Sequence, residues 1–429
     1  MNRRDGYVID VPYPLHFHKE MQPVWLSHIA ETLACSAPDI SQPYDYCELG
    51  CGAGINLLVA AAANPLGRYT GIDFNEHHIA TARATARQAG IDNVTFVHAG
   101  FEDPLHEPMP SFDFIVCHGV WSWLPARMQA ALLQRVHQTL KPQGLLYLHY
   151  MSHPGATRLT ALQKVLLEVS RASQRDSLSD VRQGMALLRQ LADANAGIFV
   201  DSPELHKELL ALENEDPAYL AHDFLTEHWQ PQHSADVQRL IAQIGLSYLG
   251  SANSFENMDG LSVPAQVQPL LGQLPNRALR ETVKDLARNQ HQRMDLFQRS
   301  PRPLSEPAHA AALARTRFAA LPGLPPPGEL QFKTPIGTIT GPAPLFGPLL
   351  QALAAGAASF GTLAALPPFE REPGLLLQAL GMLMWAGHVH PLRRDDAPAP
   401  AATRLQAWLD RQGLPLTIVP DCGTGVMRA

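Results

Sequence analysis

The chain has 429 residues, of which 46% are hydrophobic and 17% are charged. This length predicts two or three domains, and the balance excludes both a mini-protein and a globally disordered chain. With a formal net charge of -7 the chain has no overall positive field, so we predict neither a nucleic-acid partner nor a membrane partner. The net charge does not constrain self-association, and a homodimer is left open.

The five cysteines are odd in number, and no two have the CxxC spacing of a zinc site or a redox motif, so we expect reduced thiols. The histidines also lack cysteine or carboxylate partners at metal-ligand spacing, and we predict no metal. The first residues contain no apolar run of the kind that a secretory signal needs, and no stretch approaches about 18 apolar residues. A cytoplasmic protein is the resulting expectation.

Residues 44 to 150 alternate short apolar runs with amphipathic stretches, a pattern typical of parallel strands joined by crossover helices. Helices are predicted between the strands, among them the Ala- and Leu-rich segment from Ile55 to Ala63 and a segment that ends at Gly90. These units predict an α/β fold with a Rossmann-like, doubly wound sheet. The five predicted strands are YDYCELG, RYTGID, NVTFVHA, FDFIVCH and GLLYLHYM.

Strand signals stop after about residue 155, and helical patterns predominate up to residue 300. A Pro-rich stretch at 301–328 predicts a linker, because clustered prolines favour extended connectors. Residues 329–429 combine a hairpin from Phe332 to Thr340 with Ala- and Leu-rich helices and a closing strand, a pattern similar to a winged-helix module. We therefore divide the chain into four parts, 1–155, 156–300, 301–328 and 329–429.

The most informative segment is Cys47–Gly54, in which an acidic residue ends a strand and glycines follow at alternate positions before a helix. Glycine lets the backbone approach a ligand closely, and the helix N-terminus offers free N–H groups. A dinucleotide fingerprint requires GxGxxG, but the position three beyond Gly52 is Ile55, so the spacing argues against NAD or FAD. Asp73 ends the second strand, where a carboxylate can accept both hydroxyl protons of a ribose. The alternative is a tight strand-to-helix turn followed by an N-capping Asp.

Together, ELGCGAG, GIDF, FDFIVCHG and LKPQGLLYL resemble a class I S-adenosylmethionine-dependent methyltransferase over residues 40 to 152. The resemblance implies a seven-stranded sheet, S-adenosyl-L-methionine as cofactor, Glu48 near its amino group and Asp73 on its ribose. Many members carry an acidic residue for adenine where this chain has Gly100, so Phe101 or Glu102 is expected to replace it. The residues implied to bind the cofactor are Glu48, Gly50, Cys51, Gly52, Gly54, Asn56, Asp73, Phe74, Gly100, Phe101 and His118.

The phrases VPYPLHFH, HGVWSWLP, HPGATR, DPAYLAHDFL and LLLQALGMLMWAGHVHPL resemble a narrower bacterial family that joins this domain to a methyltransferase regulatory domain. The resemblance implies a cofactor-binding domain with an N-terminal lid at 1–155 and a helical regulatory or substrate domain at 156–300. Some members are protein lysine methyltransferases, so we expect N-methylation of lysine on a protein. The alternatives are a small-molecule or glycan methyltransferase and a non-catalytic, cofactor-binding regulatory protein.

Methyl transfer from a sulfonium is an in-line displacement, so the protein must align the acceptor and exclude water. A lysine acceptor arrives protonated and needs a proton acceptor or desolvation. The catalytic candidates are His118 after the fourth strand, Tyr13 in the lid and Tyr150 in the fifth strand; for His118, cofactor binding is the alternative. Residues predicted to contact the acceptor are Trp121, Trp123 and His153, with packing as the alternative for the tryptophans.

Overall fold

A seven-stranded sheet forms the centre of the computed structural model, which describes residues 3–103, 109–173 and 175–428. The five strands predicted from the sequence are all present, and two more complete the sheet. In chain order they are β1 (Tyr44–Leu49), β2 (Gly67–Asp73), β3 (Val94–His98), β4 (Phe112–Cys117), β5 (Leu140–Met151), β6 (Leu246–Ser251) and β7 (Gln292–Arg299).

The strands lie in the order β3-β2-β1-β4-β5-β7-β6. Strands β1 to β5 are parallel, and β7 runs antiparallel to both β5 and β6. All six residues of β1 are buried, as expected for a central parallel strand that is covered on both faces. Because β1 lies between β2 and β4, the connections after β1 and β4 diverge and leave a crevice at the carboxyl edge of the sheet.

The crossover helices place two apolar layers on the two faces of the sheet. Tyr46 belongs to one buried cluster and the next residue, Cys47, to the other, which follows the two-residue period of a strand. One helix begins where the Asn75 side chain accepts hydrogen bonds from two backbone N–H groups, and it ends at Gly90 in the left-handed conformation. The helices around β1 to β5 are Pro23–Thr32, Ile55–Ala63, Glu76–Ala89 and Ala126–Thr139.

Strands β6 and β7 correct the prediction that strand structure ends near residue 155. Strand β7 reads QRMDLFQR and lacks apolar alternation, because Arg293 and Asp295 are buried in it as an ion pair of 2.9 Å. Arg293 also pairs with Glu281 at 2.8 Å and with Asp285. Paired charges of this kind allow a polar sequence to lie inside a sheet. How the chain divides into functional domains stays a prediction.

A group of helices between β5 and β6, here called the insertion, covers residues 159–224. It shares a buried cluster with Val8 and Val11 of the N-terminal segment and with Trp123. His222 and the carbonyl of Val11 are joined by a hydrogen bond of 2.8 Å. The N-terminal segment is therefore attached to the insertion as well as to the sheet. The helices of the insertion are Leu159–Ala172, Ser177–Asp193, Gly197–Asp201, Pro203–Leu212 and Pro217–Phe224.

Four helices accompany β6 and β7. Helix Arg277–Arg288 supplies the carboxylates of Glu281 and Asp285 to the buried Arg293. Its first turn is capped by the side chain of Asn276, which accepts from a backbone N–H. The set as a whole is Ser234–Ala242, Asp259–Ser262, Gln268–Leu271 and Arg277–Arg288.

The Pro-rich stretch at 301–328 is not the extended linker that was predicted. It contains helix Glu306–Arg315 and strand Arg317–Ala320. A proline lies in the first turn of this helix, where its missing N–H has no intrahelical partner to lose, so it starts the helix instead of breaking structure. Composition alone did not distinguish this use of proline from a connector.

The hairpin predicted from Phe332 to Thr340 is present as strands Leu330–Thr334 and Gly337–Gly341. A separate three-stranded sheet contains Ala358–Ser359, Arg317–Ala320 and Val389–Pro391 in that order. Whether these elements form a winged helix stays a prediction. The remaining helices are Ala343–Ala355, Phe360–Ala364, Pro373–Trp385 and Pro400–Arg411, and a last hairpin pairs Leu416–Val419 with Thr424–Met427.

The carboxyl-terminal part packs directly against the region of the seven-stranded sheet. Arg404 in the last helix donates to the carbonyl of Ala89 at 2.9 Å, and Asn64 donates to the carbonyl of Gly423 at 2.9 Å. Both parts contribute to one buried apolar cluster. Within the described ranges, no helix combines the length and apolar character that crossing a membrane requires.

Candidate active site

A cavity opens at the carboxyl edge of β1, β2 and β4, which is where ligands of doubly wound sheets bind. Its wall includes every residue that the sequence predicted for the cofactor, so the structure brings that set together. We divide the wall into a glycine-loop half, formed by Glu48, Gly50–Gly54, Asp73 and Phe74, and a lid half, formed by Tyr13, His16, His18, His118 and Trp123.

The loop of the glycine-loop half is built from backbone that only glycine adopts easily. Gly50, Gly52 and Gly54 have φ values of 77°, 52° and 77°. A Cβ on Gly50 would lie 2.4 Å from Val120, and one on Gly54 would lie 2.7 Å from Phe96. A Cβ on Gly52 would instead point into open space. Packing therefore requires glycine at the two outer positions, whereas Gly52 leaves room for a ligand on the cavity side.

Asp73 holds this loop in place while remaining on the cavity wall. One of its carboxylate oxygens accepts from the N–H of Gly52 at 2.9 Å, and the other accepts from the N–H of Asn75 at 2.8 Å. Each oxygen has further lone pairs, so the carboxylate can accept ribose hydroxyls without releasing the loop. Asp73 thus braces the turn and lines the cavity, but it does not cap the following helix, because Asn75 is the N-cap; its contact with a ribose stays a prediction.

Glu48 is the clearest sign that the cavity receives a polar ligand. It is buried at the end of β1, and its Oε2 has no hydrogen-bond partner among the described residues. Burial, helped by the nearby charge of Asp73, raises the pKa of Glu48 well above its usual range. An orphaned buried carboxyl is costly, and a donor such as the amino group of a methionine moiety would satisfy it. The residues present thus fit S-adenosylmethionine at this end.

The far end of the glycine-loop half is shaped by groups that the sequence did not reveal. Asp103 accepts from the N–H of Gly100 at 2.6 Å, and Arg135 donates to the carbonyl of Phe101 at 3.0 Å. Arg4 lies over the Phe74 ring, 5.5 Å from its centroid. These contacts order the cavity wall around Phe74 and Phe101, which are the residues expected to flank the adenine. The role of Glu102 in adenine binding stays a prediction; its carboxylate pairs with Arg127.

Asn56 joins the lid to the loop helix. Its Oδ1 accepts from the N–H of His18 at 2.8 Å, and its Nδ2 donates to the carbonyl of His16 at 3.1 Å. The side chain lines the cavity, but both of its polar atoms are used by the lid. Asn56 therefore acts as a latch that holds the lid against the loop helix, a role that the sequence did not reveal. Its contact with the cofactor stays a prediction.

Three imidazole rings form a stack at the floor of the lid half. The ring centroids of His18 and His118 are 3.8 Å apart, and those of His118 and His149 are 4.0 Å apart. Nδ1 of His118 hydrogen bonds to the Tyr147 hydroxyl at 2.7 Å. Nδ1 of His149 accepts from the N–H of Gly119 at 3.2 Å, which assigns its proton to Nε2.

The stack is uncharged near neutral pH. Burial lowers the pKa of His18 and of His149 to about 4. Burial also lowers the pKa of His118 well below its usual value, and the two neighbouring histidines add to the effect. A neutral His118 can accept a proton or a hydrogen bond, depending on which ring nitrogen carries its own proton. The sequence pointed to His118, but His18 and His149 carried no local signal for this arrangement.

The outer part of the lid half is aromatic. The ring of Tyr13 lies 5.1 Å from that of His222, and the ring of His16 lies 5.7 Å from that of Tyr219. Trp123 donates from Nε1 to the carbonyl of Asp223 at 3.1 Å. Helix Pro217–Phe224 of the insertion therefore contacts the lid on one side and the loop after β4 on the other.

Three predicted site residues lie outside this cavity. Tyr150 is fully buried and donates its hydroxyl to Asp295 at 2.6 Å, because alternate residues of β5 face opposite sides of the sheet. Trp121 is buried in the cluster on that face, where its indole N–H donates to Gln232. His153 hydrogen bonds to Thr157 at 2.7 Å. The structure thus contradicts a catalytic place for Tyr150 and an acceptor contact for Trp121, whereas the acceptor contact of His153, which is not buried, stays a prediction.

Comparisons with known proteins identify the family and the fold of the chain. A family model for a methyltransferase domain matches residues 40–243, and one for a predicted methyltransferase regulatory domain matches residues 216–299. The uncharacterized protein sll1526 of Synechocystis sp. is 30% identical over 396 residues, which cover 91% of this chain and 77% of that protein. The uncharacterized protein RP789 of Rickettsia prowazekii is 26% identical over 266 residues, which cover 61% of this chain and 47% of that protein.

The solved structure of PKMT2 from Rickettsia typhi in complex with AdoHcy has a similar fold, with a TM-score of 0.71 at 20% identity. The match covers 89% of this chain and 78% of that one. Fold, cavity and family models together define a class I S-adenosylmethionine-dependent methyltransferase. The chain belongs to the family in which such a domain is joined to a methyltransferase regulatory domain, as the sequence predicted.

Proposed function

We propose that this methyltransferase transfers its methyl group to the side-chain amine of lysine on a protein. The observation that carries the proposal is the lid half of the cavity, which continues from the glycine loop into a wall of aromatic rings and neutral histidines. Aromatic faces suit a cationic amine, and an uncharged wall does not repel it. The fold that this chain shares with PKMT2 of Rickettsia typhi, over 89% of its length, supports protein lysine as the acceptor.

The roles of the cofactor-facing residues are proposed from the geometry. S-adenosylmethionine supplies an electrophilic methyl group on a sulfonium. Glu48 accepts from the amino group of its methionine part, Asp73 accepts from the ribose hydroxyls, and the N–H groups of the glycine loop bind the methionine part. Phe74 and Phe101 flank the adenine. The lid, latched by Asn56, excludes water from the reacting centre.

The acceptor amine must lose a proton before it can react, because a lysine side chain has a pKa of about 10.4 in water. Desolvation between the aromatic rings lowers that pKa and favours the neutral amine. Tyr13 and His118 remain the proposed catalytic residues, with Trp123 as a wall of the acceptor channel; all three line the cavity. The buried, neutral state of His118 makes it a hydrogen-bond partner for the amine and not a competing cation.

The test is to incubate the full-length protein with methyl-tritiated S-adenosylmethionine and fractionated lysate of its source. We expect label in a protein, located on lysine by mass spectrometry and stable to alkali, which removes methyl esters. Label confined to small metabolites or glycans would favour a small-molecule or glycan methyltransferase. Cofactor binding without label in any fraction would favour the non-catalytic regulatory protein. The Gly52→Ala variant serves as a control that should lose labelling together with cofactor affinity.

A further inference from the structure

Asp223 stands at a junction of three parts of the chain that are distant in sequence. It lies near the end of helix Pro217–Phe224, beside His222, which hydrogen bonds to the lid at Val11. Its own carbonyl accepts from the indole N–H of Trp123, a residue of the cavity wall. The carboxylate is therefore carried by a helix that contacts both the lid and a residue of the cavity wall.

This carboxylate is buried, yet within the described part of the chain no ion pair joins it to a lysine or an arginine. Asp223 is 8% exposed. By contrast, the buried carboxylates Asp45 and Asp295 each pair with an arginine, at 2.8 Å and 2.9 Å. Removing a carboxylate from water without a cationic partner is costly, so a cation that arrives with a ligand would be favoured there.

Two tyrosines lie near the same carboxylate. The hydroxyl of Tyr219, one helical turn earlier, lies beside it. The charge of Asp223 also reaches Tyr13 on the cavity wall and is the main charge contribution to the raised pKa of that phenol, after burial. A carboxylate next to tyrosine rings is the combination that binds alkylammonium groups, since the ring faces and the charge both attract the cation.

We propose that Asp223 receives the protonated amine of the acceptor, with Tyr13 and Tyr219 as aromatic walls of that site. The inference rests on the proposed function and deepens it, because it identifies the residue that recognises the amine. It also distinguishes a cationic acceptor from a hydroxyl or a carboxylate acceptor, neither of which would gain from an acidic site.

The same carboxylate can take the proton that the amine must lose. Burial raises the pKa of Asp223 to about 7, opposed by the Tyr219 hydroxyl, so its protonated form is accessible near neutrality. The ammonium gives one proton to a carboxylate oxygen of Asp223. The nitrogen lone pair then forms the N–C bond, while the C–S bond of the sulfonium breaks and its electron pair remains on sulfur. The methylated amine leaves as an ammonium.

The experiment measures amine binding without turnover. The full-length protein is saturated with S-adenosylhomocysteine and titrated with N-acetyl-lysine methylamide, followed by ligand-observed NMR. The neutral analogue, acetylated on the side-chain nitrogen, is the control ligand. We expect the cationic ligand to bind and the neutral one not to bind. Asp223→Asn should weaken binding of the cation by about tenfold or more and leave the S-adenosylhomocysteine affinity unchanged.

Glu215→Gln is the matched control variant, because Glu215 is an exposed carboxylate just before the same helix and its charge also reaches Asp223. It should change amine affinity by less than about twofold if Asp223 acts by contact. Tyr219→Phe keeps the ring and should retain most of the affinity. Equal binding by wild type and Asp223→Asn, or equal loss in Asp223→Asn and Glu215→Gln, would overturn the proposal. If the tritium experiment labels lysine, the proposed function stands even when either of these results overturns the role of Asp223.

Discussion

The two halves of the cavity are built in different ways. The glycine-loop half comes from two neighbouring strands and the turns that follow them, within 27 residues from Glu48 to Phe74. The lid half brings together an N-terminal segment, the loop after β4 and, behind it, a helix of the insertion near residue 220. The first half is held by backbone N–H groups and glycine conformations, and the second by side-chain packing between distant segments.

This difference predicts that substitutions in the two halves have different effects. A loop fixed by backbone geometry presents the same groups to the same cofactor whenever its glycines and acidic residues are kept. A wall made by side chains from an insertion can change with each substitution without disturbing the sheet. We therefore expect changes in the glycine-loop half to affect cofactor affinity and changes in the lid half to affect acceptor choice.

The largest expected effect comes from Asp73→Ala. The substitution removes the acceptor for two loop N–H groups and, in the proposed complex, for the ribose hydroxyls. Loss of two charge-assisted hydrogen bonds to the ligand weakens cofactor binding by about 2–4 kcal/mol, or roughly 30-fold to 1000-fold. Calorimetry with S-adenosylhomocysteine measures the change. An unchanged affinity would refute the ribose assignment and the contrast between the two halves.

A smaller effect is expected from Gly52→Ala, and the chain offers a matched control. Gly52 and Gly245 both have positive φ, 52° and 80°, and a Cβ on either meets nothing within 4 Å. Alanine at either site costs about 1–2 kcal/mol of backbone strain. Only Gly52 lines the cavity. Both variants should lose similar stability on thermal unfolding, but only Gly52→Ala should lose cofactor affinity, by about tenfold or more. If Gly52→Ala and Gly245→Ala lost similar cofactor affinity, backbone strain alone would explain the loss.

The same contrast explains how much the sequence could predict. The glycine spacing and Asp73 lie in one local pattern whose geometry follows from strand, turn and helix, so the glycine-loop half was predictable. Tyr150 was misplaced because its side of β5 depends on strand register, which a one-residue shift reverses. Asp223 was missed because nothing near it in sequence indicates that helix Pro217–Phe224 returns to the lid.

The sequence likewise predicted some elements of the fold and missed others. Strands β1 to β5 are apolar and regularly spaced, and their pattern identified them. Strand β7 was missed because its buried Arg293 and Asp295 neutralise each other, and such pairing is visible only after the partners on helix Arg277–Arg288 are in place. Likewise, the stretch at 301–328 contains a helix, with a proline in its first turn, and a strand instead of a linker. Tertiary contacts decided the outcome for β7, and local helix-start geometry decided it for residues 301–328.

The smallest expected effect concerns the histidine stack below the lid half. The pKa of His149 is about 4 in the folded protein and about 6.5 in an unfolded chain. Between these values the unfolded state binds more protons, so the stability that a neutral His149 provides is complete above pH 6.5 and decreases as the pH falls toward 4. From pH 7.5 to pH 5, this one group should lower the free energy of unfolding by about 1–2 kcal/mol.

His149→Gln removes that group while retaining a side chain that can both accept from Gly119 and donate to Gln292. Urea unfolding at the two pH values should therefore show a smaller loss of stability in His149→Gln than in wild type. His77→Gln, which replaces an exposed histidine, should lose as much as wild type. If the free energy of unfolding falls equally in His149→Gln and in wild type between the two pH values, burial does not keep His149 neutral. The lid half would then have a charged floor at mildly acidic pH, and amine binding there would weaken.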